Sequence, residues 1–144
     1  QVTEALQEGA TAHIPIFAED DGEAYVTPQI LTNINHQMRV MRDETFGPVV
    51  GIMSVKDDDE AIQLMNDSDF GLTASIWTQD TDTAEALGTR IQTGTVFMNR
   101  CDYLDPGLCW TGCKDTGRGG QLVRTRLPGS NSYQILSSQT GMTL

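Results

Sequence analysis

An α/β fold built on a parallel sheet is predicted by three features of this chain. Apolar runs of strand length recur at residues 49–55, 73–78 and 95–99. Segments of helical period, at 57–66 and 80–91, lie between them. Each of these segments opens on Asp or Thr side chains able to cap free backbone amides. A strand, helix, strand, helix, strand order of this kind pairs its strands in parallel through right-handed crossovers, giving a βαβαβ unit.

Taken in order, residues 2–9 carry apolar side chains at Val2, Ala5 and Leu6 with Gly9 as a stop, which reads as the end of an amphipathic helix. Residues 10–17 read as a strand. Glu19, Asp20, Asp21, Gly22 and Glu23 form an acidic turn that is most simply a solvated loop. Residues 25–31 are extended, and Pro28 demotes them to an edge or irregular segment. Residues 33–41 mix turn formers with Met38 and Val40 and read as a short connection. Asp57 to Glu60 supplies the acids and capping oxygens of a helix that continues through Ala61, Ile62, Gln63, Leu64, Met65 and Asn66. Consecutive carboxylates at a helix start serve free amides, and the spaced oxygens of a calcium loop are missing. The helix over 84–91 puts Ala84, Leu87, Gly88 and Ile91 on one face.

The 144 residues amount to one domain's worth of chain, enough for a sizeable core. Twenty acids against nine Lys and Arg give a net charge of −11, which disfavours nucleic acid or an anionic membrane as partner. No apolar run has transmembrane length, and the opening Gln-Val-Thr-Glu has no signal character, so it reads as the interior of a longer protein. Three cysteines, an odd number, favour reduced thiols and a cytoplasmic setting over a disulfide framework. Cys101, Cys109 and Cys113 lack a nearby fourth ligand, with His13 and His36 far off in sequence, so no metal site is expected.

The stretch Arg42-Asp43-Glu44-Thr45-Phe46-Gly47-Pro48-Val49-Val50 places an acid and an aromatic two residues apart, just before a Gly-Pro corner and an apolar strand. Proline fixes its own φ and biases Gly47 toward an extended conformation, so the corner is a stiff mount for both side chains. On residue type alone Glu44 reads as a surface acid and Phe46 as a core anchor.

Four motifs then occur in one order: Glu44-x-Phe46-Gly47-Pro48; Asn66-Asp67-Ser68-Asp69-Phe70-Gly71-Leu72; Gly94-Thr95-Val96-Phe97-Met98-Asn99; and Gly112-Cys113-Lys114-Asp115-Thr116-Gly117. Together they resemble the C-terminal third of an NAD(P)-dependent aldehyde dehydrogenase over residues 1–120. The resemblance implies part of that family's catalytic domain at 1–120 and a divergent tail at 121–144. It implies that Glu44 hydrogen-bonds the ribose of the nicotinamide in NAD or NADP, since a carboxylate accepts from two vicinal hydroxyls, and that Phe46 packs near the nicotinamide ring. It implies that Asp102, Leu104 and Trp110 line the aldehyde entrance, although Trp110 reads equally as a core aromatic.

The family's reaction runs through a cysteine thioester, hydride transfer to the nicotinamide and hydrolysis by a glutamate-activated water. The nucleophile and general base are expected upstream, so no catalytic residue is assigned here and none of the three cysteines is the nucleophile. Homo-oligomerisation is implied for the full-length form. The Gly112 to Gly120 stretch lacks the Gly-Lys-Ser/Thr order of a phosphate loop and reads as a structural turn cluster. Pro128-Gly129 breaks any helix in the tail, where residues 133–136 have strand character. The rival reading is a non-catalytic truncated homologue that acts as an interaction module.

Overall fold

The computed structural model describes residues 1–15, 26–101, 103 and 110–117, together with the backbone of 134–137. Two compact units divide the chain, residues 1–56 and 57–144. The expected acidic turn at 19–23 and the helix break at Pro128-Gly129 lie outside the described residues.

In the first unit, helix α1 (Val2–Gln7) ends at Gly9, whose φ of +105° is open to glycine at little cost. Strands β1 (Thr11–Ala12), β2 (Gln29–Thr32) and β3 (Val49–Gly51) follow, with the short helix α2 (Arg39–Arg42) between the last two. The sheet order is β1-β2-β3, antiparallel then parallel, with Ile30 opposite Val50 and Leu31 opposite Gly51. Residues 26–28 are irregular, as expected, but 29–31 belong to the central strand and not to an edge. Pro28 precedes the strand, so its missing N–H costs the ladder nothing, and the Gln29 N–H donates to Pro48 O at 2.8 Å. Nor is 33–41 only a connection, since it leads into α2, which places Met38 and Met41 over the sheet. Ala5, Ala10, Leu31, Ile34 and Met38 form the core, with Val40, Met41, Val49 and Met53 packed against it.

In the second unit, helix α3 (Asp58–Asn66) starts at Asp57, whose Oδ1 accepts from the Glu60 N–H at 2.8 Å. The acidic run thus caps the helix, as its position in the sequence implies. Strand β4 (Phe70–Gly71) precedes β5 (Thr73–Ile76), and helix α4 (Thr81–Gly88) leads to β6 (Thr95–Met98). Strands β7 (Cys113–Lys114) and β8 (Gln134–Ser137) complete the order. Strands β5, β6 and β8 form a parallel sheet with β6 in the middle, and β4 pairs antiparallel with β7.

The predicted parallel α/β class holds, with a correction to its continuity. Strand β3 is hydrogen-bonded to β2 and not to β5, so the run of three strands read from the sequence is split between two sheets. Periodicity identified each strand but carries no information on which neighbour it chooses.

The core of this unit joins Ile62, Ile91 and Val96, with Ala74, Ile76 and Leu87 packed against them. Ala74 lies opposite Val96 and Ile76 opposite Met98, so one face of the β5–β6 pair is covered by α3 and α4 residues. Asn66 ties α3 to the chain entering β6: its Nδ2 donates to Arg90 O and its Oδ1 accepts from the Gln92 N–H, both at 2.8 Å.

A Cβ at Gly94 would overlap the Thr111 carbonyl oxygen, with the Thr111 carbonyl carbon at 2.6 Å. Backbone, unlike the end of a flexible side chain, has little room to give, so Gly94→Ala should destabilise the chain by about 3 kcal/mol in a urea titration.

Asp80 caps α4 by accepting from the N–H groups of Asp82 and Thr83 and from Thr83 Oγ1. The Thr83 side-chain and backbone hydrogen bonds lower its carboxyl below the ordinary 3.8. A carboxyl depressed by folding contributes stability above its unfolded value, and that stability fades as pH falls through the folded value. Asp80→Asn should therefore lower the melting temperature at neutral pH, with the difference from the parent shrinking in melts taken at successively lower pH below 3.8.

Candidate functional site

The corner at residues 43–49 is held by backbone hydrogen bonds together with the side chains of Gln1, Asp43 and Thr45. Asp43 terminates α2 with its N–H on Arg39 O, and its Oδ2 accepts from Arg39 Nε at 2.8 Å. Arg39 also reaches Glu4 Oε2 at 3.4 Å, and these acids raise the guanidinium further above its already high range, the Asp43 hydrogen bond foremost. Such exposed pairs contribute little to stability, but they orient the segment. Thr45 Oγ1 donates to Gln1 Oε1, and Gln1 Nε2 donates to Glu44 O at 3.5 Å, so the start of α1 braces the corner. The Gly47 N–H donates to Thr45 O and the Val49 N–H to Gly47 O, each at 2.8 Å, before Pro48 O accepts from Gln29.

That bracing leaves the two chemically useful side chains outside. Glu44 is exposed. Phe46 is 100% exposed, so its reading as a core anchor is overturned. None of the hydrogen bonds that brace the segment uses the Glu44 carboxylate or the Phe46 ring, so both are left available. A bare aromatic ring on a stiff corner has every reason to take a planar apolar partner, and an exposed carboxylate two residues away can accept from hydroxyls beside that partner.

A second group of residues lies in the other unit, where the parallel strands β5 and β6 end. Asn99 adopts φ of +54°, and its side chain brackets the backbone of Thr78, accepting from the N–H at 2.9 Å and donating to the carbonyl at 2.7 Å. Ser75 Oγ donates to Arg100 O at 2.6 Å. The Arg100 guanidinium carbon lies 4.4 Å from the Tyr103 ring centroid and 5.9 Å from that of Phe97. Trp110 is half-buried at a single β-bridge. Asp102 and Leu104 lie outside the described residues.

Glu44 and Phe46 thus share one corner in the first unit, while Trp110 belongs to the second. Sequence reasoning missed Asn99 as the clamp and Arg100 as the stacked cation. The available signal was an Asn at a strand end, a residue type that tolerates φ above zero and bonds backbone locally.

The Gly112 to Gly117 stretch is a fastener. Gly117 has φ of +89°, Thr116 Oγ1 accepts from the Gly71 N–H, and Asp115 N–H donates to Asp69 O. Lys114 Nζ donates to the carbonyls of Asn66 and Ser68, both at 2.7 Å, so its ammonium is committed to backbone. Among the described residues no cluster of His, Cys, Asp and Glu has the makings of a metal site, and no helix is long and apolar enough to cross a membrane.

Comparison with known proteins identifies the setting of these features. The model of the aldehyde dehydrogenase family matches residues 1–129. A 4,4'-diapolycopene aldehyde oxidase of Methylomonas sp is 42% identical over 120 residues, 81% of this chain and 22% of that protein. A betaine aldehyde dehydrogenase of Staphylococcus aureus, solved with NAD+, superposes with a TM-score of 0.76 at 31% identity, over 85% of this chain and 25% of that one. A succinic semialdehyde dehydrogenase of Streptococcus pyogenes, solved with NADP+, gives 0.75 at 32% identity, over 83% and 26%. The chain spans about a quarter of the length of the relatives it matches. With the family model covering most of its length, the chain belongs to the aldehyde dehydrogenase family.

Proposed function

We propose that this chain is a C-terminal fragment of an oxidoreductase that converts an aldehyde to a carboxylic acid with NAD+ or NADP+, and that it supplies part of the cofactor site. The observation that carries this reading is the braced corner with Glu44 and Phe46 both exposed beside each other. Two structural neighbours, the betaine aldehyde and succinic semialdehyde dehydrogenases, are described with NAD+ and NADP+ respectively.

The donor set fits such a cofactor. Glu44 offers a carboxylate to the paired hydroxyls of a ribose, and Phe46 offers a ring face to a planar base. When bound, the nicotinamide supplies the hydride acceptor. What this chain's residues do is orient: the side-chain bonds of Gln1 and Thr45 and the backbone bonds at Gly47 and Val49 hold the corner, and the corner limits the rotation of the sugar and ring. Asp102, Leu104 and Trp110 we assign to the aldehyde entrance. The nucleophilic cysteine and the glutamate that activates water belong to the part of the enzyme that precedes this segment, where they form and hydrolyse the thioester. A homo-oligomer is the proposed assembly of the full-length form.

On this reading the 144-residue chain alone turns over no aldehyde. Incubating it with an aldehyde and NAD+ or NADP+ while following absorbance of the reduced cofactor should give a flat trace, and turnover abolished by Glu44→Gln would refute the assignment. In a full-length aldehyde dehydrogenase carrying this segment, Glu44→Gln should slow single-turnover hydride transfer by about 1–3 kcal/mol of barrier, the range for a hydrogen bond to a charged group, with a smaller effect on cofactor affinity. An unchanged hydride-transfer rate would reduce Glu44 to a surface acid.

A further inference from the structure

Helix α1 begins on a residue that does little for the helix itself. Gln1 stands at the N-cap, yet its side chain makes no capping bond. Both ends of its amide reach the corner instead: Oε1 accepts from Thr45 Oγ1, 44 residues further on, and Nε2 donates to Glu44 O at 3.5 Å. An amide that accepts from one residue and donates to its neighbour brackets the peptide between them and opposes its rotation. The peptide held in this way is the one that joins Glu44 to Thr45.

A second arm reaches the corner from the same face of the helix. Glu4 lies three positions after Gln1, a spacing that puts two helical side chains beside each other. Its Oε2 takes Arg39 Nη1 at 3.4 Å, and Arg39 Nε donates in turn to Asp43 Oδ2 at 2.8 Å. The chain neighbours of Glu44, Asp43 and Thr45, are therefore both tied to α1, and Glu44 lies between the ties. The helix is a firm base for them, because Ala5, next to Glu4, is buried in the core of its unit. The two arms differ in kind. Arg39 is exposed, so its ion pairs are screened by salt, whereas Thr45 is half-buried and its bond to Gln1 is neutral.

We propose that Gln1 and Thr45 are positioning residues that aim the Glu44 carboxylate, and that α1 is the mount on which the cofactor corner is set. The inference rests on the cofactor role proposed above for Glu44. A carboxylate that must meet two vicinal hydroxyls loses precision with every backbone torsion left free, so fixing the Glu44 peptide favours the productive pose of ribose and ring over other bound poses. Loss of the bracket slows hydride transfer and leaves cofactor affinity nearly unchanged.

The first measurement uses the 144-residue chain. Thr45→Val removes the hydroxyl and keeps the β-branched shape, while Thr45→Ser keeps the hydroxyl. In NMR relaxation, Thr45→Val should lower the order parameters of the Glu44 and Thr45 amides and move the Gln1 side-chain amide signals toward those of a free glutamine. Thr45→Ser should leave both near the parent, with circular dichroism confirming the fold of each variant. Unchanged order parameters in folded Thr45→Val would overturn the bracket.

The second measurement is single-turnover hydride transfer in a full-length aldehyde dehydrogenase carrying this segment, taken as a double-mutant cycle. Thr45→Val should slow the step by about threefold to tenfold, the effect of one lost neutral hydrogen bond, and add nothing further in the Glu44→Gln background. Thr45→Ser should retain the parent rate. Glu4→Gln should slow the step by about twofold at low salt, with the difference fading as salt is raised. Equal slowing by Thr45→Val in both backgrounds would show that Thr45 does not act through Glu44, and a salt-independent loss in Glu4→Gln would overturn the ionic arm. An unchanged rate in Thr45→Val beside a slowed Glu44→Gln refutes the positioning role alone, whereas an unchanged rate in Glu44→Gln refutes the cofactor reading itself.

Discussion

Strand β6 is the constraint on which the second unit depends. It is hydrogen-bonded on both edges, to β5 and to β8, and all four of its residues are buried. A strand in that position must be apolar on both faces and must enter and leave without a bulky detour. Gly94 provides the entry, where the Thr111 backbone passes too close for any Cβ. Asn99 provides the exit, its positive φ turning the chain away from the sheet while its amide takes up the Thr78 backbone that the ending ladder leaves behind. Arg100 is presented where it is because β6 leaves no freedom one residue earlier.

A common device runs through both units: small polar side chains satisfy the backbone where regular structure stops. Asn66 serves the entry to β6, Asn99 its exit, Gln1 the corner, where Thr45 holds its side chain, and Asp57 and Asp80 the starts of α3 and α4. Buried or half-buried backbone groups without partners are costly, so these bonds fix irregular stretches without a large core beneath them. Their consequence for function is that loops carrying exposed chemistry can still be stiff. Glu44 and Phe46 are outside the core yet mounted on a corner in which the Asp43, Gly47 and Val49 amides and the Glu44, Thr45, Gly47 and Pro48 carbonyls are engaged.

The surplus of acids has a local purpose in this light. Asp57 and Asp80 accept from helix amides, Asp43 and Glu4 orient Arg39, and Asp59 takes Arg90. Among the described residues Arg100 stands apart from that network, its guanidinium resting on the rings of Tyr103 and Phe97.

The elements themselves were legible in the amino-acid sequence, because period, caps and stops are local properties. Gly9 ending α1, Asp57 and Asp80 starting α3 and α4, the strand at Thr95–Met98 and the strand character of residues 134–136 all follow from residues within one or two turns of each other. The four motifs likewise carried the family, since they persist as contiguous strings. Only the tertiary structure decided the partners: that β3 joins β2 and not β5, that Pro28 precedes a central strand, that β4 pairs with β7, and that Lys114 reaches back to Asn66 and Ser68. It also decided that Phe46 is bare and that Arg100 rests on Tyr103. Pairing and exposure depend on which distant surfaces compete for the same edge or face, and that competition is settled by packing in three dimensions, for which a single chain's local pattern has no term.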